Sequence, residues 1–371
     1  MQLKELVNST ERERSQCSIR RGDVFLTRTS ETMDELGMSC VALRDIPNAT
    51  FNGFTKRLRP RSPNIVVPEY ARYYFRSPKF RQAVTAMSSL STRASLNNEM
   101  LSRLSIAVPT PAEQSAIGHI LGTLDGKIEL NSRMSETLET MARALFKSWF
   151  VDFDPVRAKM EGRDPGFPRE IAELFPSRMV ESELGEIPEG WGIGPLDSVI
   201  VLQRGFDLPG TERTPGAYPV LAASGPSGTH NEFMVRGPGV TTGRSGVLGK
   251  VFYVAEDFWP LNTSLWVKEF RHSRPAYAFH LVRGLDFAMF NAGSAVPTLN
   301  RNHVHTLPTL LPPMALIDCF EQFATGCIAR QGSADWEATT LAALRDALLP
   351  KLISGELRLK DVKSLIESNS N

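Results

Sequence analysis

Between residues 112 and 150 apolar positions recur at steps of three and four: Ile117, Leu121, Leu124 and Ile128, then Met134, Leu138, Met141, Leu145 and Trp149. That spacing marks one face of a helix, about 57 Å long at 1.5 Å per residue. A second stripe follows at Ile317, Phe320, Ala324 and Cys327. It weakens at Gln331, Ala334 and Ala338, then resumes at Leu341, Leu344, Leu348 and Leu352. Both stripes are narrow, as in a coiled-coil seam, and packing the two helices against each other is the simplest way to bury them. Elsewhere the pattern is that of strands. GDVFLTRT at 22–29, YPVLAAS at 218–224, GVTTGRSGVLGKVFYV at 239–254 and NTSLWVKEF at 262–270 are β-branched and aromatic runs bounded by Gly and Pro. Residues 155–195, rich in Pro, Gly and charge, read as an ordered linker.

The pattern repeats. Sliding the chain by 203 residues lays Leu96-Asn97 on Leu299-Asn300, Leu104 on Leu307 and Val108-Pro109 on Leu311-Pro312. Further along, Ile117 falls on Phe320, Leu138 on Leu341, Met141 on Leu344, Ala144-Leu145 on Ala347-Leu348 and Phe150 on Ile353. Register held over that length indicates a duplication. Each copy is a β-rich region, a proline cluster (PTPAEQ at 109–114, LPPMA at 311–315) and a long helix.

Charge sharpens this organisation. The overall charge is +1, yet residues 1–110 carry 17 Lys/Arg against 10 Asp/Glu, and residues 111–190 carry 9 against 15. Basic blocks suit a polyanion and acidic helical ones a protein partner. No stretch approaches the length of a membrane span, and the polar N-terminus is not a signal peptide, so a cytoplasmic protein without a membrane partner is expected. Cys17, Cys40, Cys319 and Cys327 lack metal-ligand spacing and read as reduced thiols.

Catalytic motifs fail. GRSGVLGKV at 243–251 resembles a phosphate loop, but Arg244 stands where glycine is needed and Val251 where a hydroxyl is needed. No G-x-G-x-x-G joins a strand to a helix. His303 and His305 alternate as on a strand, which favours one packed and one exposed residue over a metal pair. Base readout fits better, since it needs Arg or Lys for guanine, Asn or Gln for adenine, and adaptable Ser or Thr. Thr241, Thr242, Arg244, Ser245 and Lys250 share one Gly-rich strand–loop–strand, with Asn262, Thr263 and Ser264 close behind. In the first half Thr27, Arg28, Thr29, Ser30 and Thr32 follow a strand. Ser91, Thr92, Arg93 and Ser95 sit where the second half has Ser294 and Thr298. A solvated Thr/Ser-rich hairpin explains any one of these residues equally well.

The run PTPAEQSAIGHILGTLDGKIELNSRMSETLETMARALFKSWFVDFDPVRAK, with LFPSRMVESELGEIPEGW, GVTTGRSGVLGKVFYVAEDFWPLNTSLWVKEF and LRDALLPKLISGELRL, resembles type I restriction-modification specificity subunits over nearly the whole chain. The resemblance implies an α+β fold with two β-rich target-recognition domains, two long antiparallel coiled-coil spacer helices and a pseudo-twofold internal repeat. It implies recognition domains at 1–111 and 191–314, spacer helices at 112–150 and from 315 into the tail ending at 371, and a linker at 151–190. It also implies a non-catalytic subunit that reads a bipartite site on double-stranded DNA and binds two methylation subunits and the restriction (motor) subunits. This chain would bind no cofactor. S-adenosylmethionine, ATP and Mg are expected on the partners. The opening stretch PEGWGIGPL at 188–196 has no counterpart in the first half, where 21 residues precede Gly22 against 46 from Trp191 to Gly237. The first domain is therefore expected to be N-terminally short, through a truncated gene, a late start codon or an unusually compact domain. A helical scaffold of a DNA-processing complex, with no base readout of its own, is the alternative.

Overall fold

The computed structural model describes residues 7–32, 34–62, 65–87, 94–287 and 299–358. The chain divides into two compact units, residues 1–133 with 334–371, and residues 134–333. Each unit therefore takes half of each long helix.

The first unit begins with α1 (Glu11–Gln16), β1 (Val24–Thr27), β2 (Thr29–Ser30), β3 (Ser39–Val41) and β4 (Thr55–Leu58). Then come α2 (Pro68–Tyr74), α3 (Pro78–Met87), β5 (Ala94–Ser95), α4 (Asn98–Arg103) and the start of α5 (Pro111–Phe150). Its sheet has the order β3-β1-β4, antiparallel throughout, with β2 paired to β5. Proline opens α2 and α5, where a missing N–H costs nothing. Ile117 and Leu121 of α5 are buried with Tyr70, Tyr73 and Leu26. Leu352 and Ile353, near the end of α10 (Met314–Ser354), complete that core.

Polar groups hold the helices of this unit together. Gly118 lets α2 lie directly on α5, because a Cβ there would stand 2.8 Å from that of Glu69. The Asp125 carboxylate accepts hydrogen bonds from Arg345 and Arg72, both at 2.8 Å, and from the Tyr73 hydroxyl at 2.7 Å. Burial pulls the Asp125 pKa upward, but these donors outweigh it and hold the carboxyl below its usual range. Where the apolar stripe weakens, Asn131 donates to Glu337 at 2.9 Å and Lys127 pairs with the same carboxylate at 3.4 Å.

The second unit contains α6 (Asp154–Met160), α7 (Arg169–Ala172) and the hairpin β6 (Met179–Ser182)–β7 (Gly185–Pro188). Next are β8 (Gly192–Pro195), β9 (Ile200–Arg204), β10 (Tyr218–Ala222), β11 (Gly225–His230), β12 (Gly239–Gly243) and β13 (Val251–Val254). The unit finishes with β14 (Trp259–Pro260), β15 (Ser264–Phe270), α8 (Pro275–Arg283), α9 (Arg301–His305), β16 (Pro308–Leu311) and the first half of α10. Its main sheet has the order β13-β12-β15-β9, with a smaller β11-β10-β14 sheet and a β8–β16 pair.

An aromatic cluster forms the centre of this core: Phe146, Trp149 and Phe150 from α5, Tyr277 from α8 and Phe320 from α10. The stretch after α5 is no mere connector, since Phe153, Val156, Phe175 and Trp191 are buried in the same core. Glu321 accepts the N–H groups of Ala276 and Tyr277 at 3.0 and 2.9 Å, which satisfies the start of α8. His303 and His305 lie on α9, not on a strand. His305 Nε2 accepts the Leu202 N–H at 2.9 Å, and burial lowers its pKa.

Candidate nucleic-acid interface

In the second unit the strand–loop–strand around Arg244 is built on close backbone contacts. A side chain on Gly243 would overlap the Val247 carbonyl, and Gly246 and Gly249 take φ of +84° and +80°. These are positions that only glycine fills without strain. The turn pins Arg244: its N–H donates to the Thr263 carbonyl at 2.8 Å, and its carbonyl accepts the Leu299 N–H at 2.8 Å. Its guanidinium reaches the Asn262 carbonyl at 3.4 Å, a long contact that leaves most donors of the fork uncommitted to it. Arg204 at the end of β9 and Arg301 at the start of α9 line the same open cavity of about 440 Å³, with Leu265, Leu299 and Asn300. Three guanidinium groups on one depression favour an anion. Arg204 is partly offset by Asp207 at 3.9 Å.

The first unit repeats this corner. The Arg28 N–H donates to the Phe54 carbonyl at 2.7 Å, and its carbonyl accepts the Leu96 N–H at 2.8 Å. Its guanidinium reaches the Gly53 carbonyl at 3.4 Å. Arg28 and Arg244 thus share a backbone frame and a side-chain contact to the residue before the frame's acceptor. The asparagine after each leucine opens a short helix: Asn97 accepts the Met100 N–H at 2.8 Å, and Asn300 accepts the Asn302 N–H at 3.0 Å. Beside Arg28, Lys56 donates to Asn98 at 2.7 Å.

The other sequence candidates divide. Thr29 is half-buried in the β2–β5 pair, Ser245 is half-exposed and Lys250 is exposed on the loop. Asn262 donates to the Asp207 carboxylate, and Thr263 accepts the Ala223 N–H at 3.4 Å, so both help to build the corner. Thr241 and Thr242 are a correction. They are only 1% and 2% exposed, and the Thr242 hydroxyl donates to the Lys250 carbonyl at 3.0 Å. β12 is an interior strand covered on both faces, so alternation does not carry either side chain to a surface. Arg93, with Ser91, Thr92, Ser294 and Thr298, lies outside the described residues. Sequence reasoning missed Arg204, Arg301 and Lys56. The only available signal was that Arg301 directly follows the repeated Leu299-Asn300.

Among the described residues no group of three or more His, Cys, Asp or Glu could hold a metal ion, and all four cysteines are free. No described helix is long and apolar enough to cross a membrane.

Two like modules, each presenting one arginine in the same backbone frame, make this a duplicated α+β protein, and known proteins resemble it as follows. Residues 5–140 match the type I restriction modification DNA specificity domain. The type I restriction enzyme MjaIX specificity subunit of Methanocaldococcus jannaschii is 24% identical over 388 aligned residues, covering 96% of this chain and 83% of that protein. The HindI specificity subunit of Haemophilus influenzae is 34% identical over 174 residues, covering 46% of this chain and 36% of that protein. The fold is that of the S subunit of a type I restriction-modification system from M. genitalium, with a TM-score of 0.63 at 15% identity over 91% of this chain and 84% of that one. The chain is thus similar over nearly its whole length to a type I restriction-modification specificity subunit, and the match to the DNA specificity domain lies in residues 5–140.

Proposed function

We propose that this chain reads a two-part sequence in duplex DNA, one part with each module, and positions methylation and restriction subunits that carry the chemistry. The observation that supports this most strongly is the arginine corner occurring twice, around Arg28 and around Arg244, each on a rigid glycine- or asparagine-bounded frame. A guanidinium presented this way pairs with the O6 and N7 edge of guanine in two hydrogen bonds. Arg204 and Arg301 flank Arg244 and suit the adjoining phosphates. The cofactors of methyl transfer and DNA translocation (S-adenosylmethionine, ATP and Mg) belong on the partner subunits in this reading.

Arg244→Ala tests it. Binding to the cognate site should weaken roughly tenfold or more, with one base of one half-site relaxed and the other half-site intact. A phosphate contact gives a different result: uniform weakening on every sequence and a smaller salt slope. A panel of single-base variants at two salt concentrations separates these, and an unchanged base profile removes Arg244 from base readout. Absence of salt-dependent duplex binding by the assembled complex would favour the scaffold reading instead.

The partner reading has its own expected outcome. Purified alone, the chain should transfer no methyl groups. Co-expression with the cognate methylation subunit should yield a soluble complex holding two copies of it. Methyl transfer by the isolated chain, or a complex of different composition measured by native mass spectrometry, contradicts this.

A further inference from the structure

Two phenylalanines stand at the turn into β4 of the first unit, and only one of them is packed. Phe51 meets Phe25 edge-on at 5.2 Å, and the Arg57 guanidinium lies 5.5 Å from the Phe51 ring centre. Phe54 has no ring or cation partner among the described residues and is 64% exposed. Its backbone is nonetheless fixed. The Asn52 side chain accepts the Phe54 N–H at 3.1 Å, and the Asn52 carbonyl accepts the Thr55 N–H at 3.2 Å. An asparagine bonded to the backbone two residues on is a turn-forming device. A single exposed apolar side chain is ordinary. What sets Phe54 apart is the residue opposite it.

β1 and β4 pair Leu26 with Lys56 and Thr27 with Thr55. The hydrogen bond from the Arg28 N–H to the Phe54 carbonyl carries that ladder one step further. Arg28 and Phe54 are thus directly opposite residues, whose side chains leave one face of the pair about 5 Å apart. Both are exposed, and Lys56, two residues beyond Phe54, adds a second cation. The second unit builds the same pair from Arg244 and Thr263, with a different outcome. There the Thr263 hydroxyl accepts the Ala223 N–H at 3.4 Å, and Arg204 and Arg301 supply further guanidinium groups. One corner gathers cations alone, whereas the other sets an aromatic ring beside its arginine.

We propose that Phe54 is a second base-reading residue of the first module. Its ring packs on the C5 methyl of a thymine in the base pair next to the guanine that Arg28 reads. This assignment rests on the DNA-reading proposal for Arg28. Adjacent bases along a strand are about 3.4 Å apart, so side chains rooted about 5 Å apart reach neighbouring pairs. The thymine methyl is the apolar group on the major-groove edges, and phenylalanine is among the side chains that contact it. Arg28 and Lys56 on either side of the ring draw this corner to a polyanion rather than to an apolar protein surface. The half-site read by the first module should therefore hold a thymine next to its guanine, on either strand.

The test uses the chain assembled with its cognate methylation subunits and the duplex site that this complex methylates. Arg28→Ala locates the guanine pair, as the position whose base preference it relaxes. Thymines in the two adjacent pairs are then replaced by deoxyuridine, which lacks only the methyl group. One replacement should weaken binding roughly fourfold, the worth of about one buried methyl group. Phe54→Ala should weaken binding to the thymine duplex and abolish the thymine–uracil difference, with the melting temperature unchanged because the ring is exposed. Phe54→Leu, which keeps an apolar side chain, should retain part of that difference. Neutral replacement, or no thymine in either adjacent pair, overturns the proposal while Arg28→Ala still relaxes a base and leaves the DNA reading standing. An Arg28→Ala base profile identical to that of the unaltered complex removes both. Equal weakening of thymine and uracil duplexes by Phe54→Ala would make the ring a wedge or a support for Arg28, and overturns the methyl contact. Unchanged DNA binding with fewer methylation subunits bound, by native mass spectrometry, would assign Phe54 to protein docking and overturn it as well.

Discussion

Phe320→Ala is expected to destabilise the second unit by about 3–5 kcal/mol, the range for removing a fully buried aromatic ring. Phe320 is 0% exposed. Its ring centroid lies 5.5 Å from that of Phe146, 5.6 Å from that of Phe150 and 5.5 Å from that of His280. The ring therefore joins α5, α8 and α10 within one unit. For a unit of this size the melting temperature should fall by roughly 10 °C. Trp149, Trp191, Trp259 and Trp266 lie in the second unit and the fifth tryptophan, Trp336 of the first unit, is already 72% exposed, so the change in intrinsic fluorescence is dominated by unfolding of the second unit. A shift below about 2 °C would mean the cluster is not the mechanical centre of the unit.

A second large effect should appear with pH. His280 is 4% exposed, and its pKa is pushed down to about 4. Burial is the main cause, reinforced by Arg283 and Arg143 and opposed by Glu139. The ring stacks on Phe146 at 5.5 Å and meets Phe279 edge-on at 5.0 Å, so protonation would place a charge among aromatic rings. Because the folded pKa is depressed, the unfolded chain takes up the proton first. The neutral histidine's contribution is intact above about pH 6.5 and is lost progressively as pH falls toward 4. By pH 5 the cost should reach about 2 kcal/mol. His280→Phe should remove that slope between pH 7 and 5 while leaving the first unit's transition unchanged. An identical pH dependence in the variant would show that His280 titrates normally in the fold.

The sequence alone determined the elements whose signal is local. Steps of three and four set the two long helices, because burying one narrow stripe is the same requirement all along a helix. Glycine and β-branched runs set the β12–β13 hairpin, because backbone geometry limits what can turn there. The duplication was visible for the same reason, since Leu96-Asn97 and Leu299-Asn300 head two segments whose apolar register must match to pack alike. Only the tertiary structure decided the rest. The pairs Arg28 and Arg244, Phe54 and Thr263, and Leu96 and Leu299 are separated by three different intervals along the chain. Loops of unequal length between the pieces hid the common frame from any single ungapped alignment. Exposure was likewise not a local property. Thr241 and Thr242 look like readout residues beside Arg244, yet neighbours on both faces of β12 bury them. Arg204 and Arg301 are nearly a hundred positions apart in the chain and meet Arg244 only because β9 pairs with β15 and α9 follows Leu299. Which side chains share a surface depends on strand order and on what covers each face, and those follow from packing between distant segments.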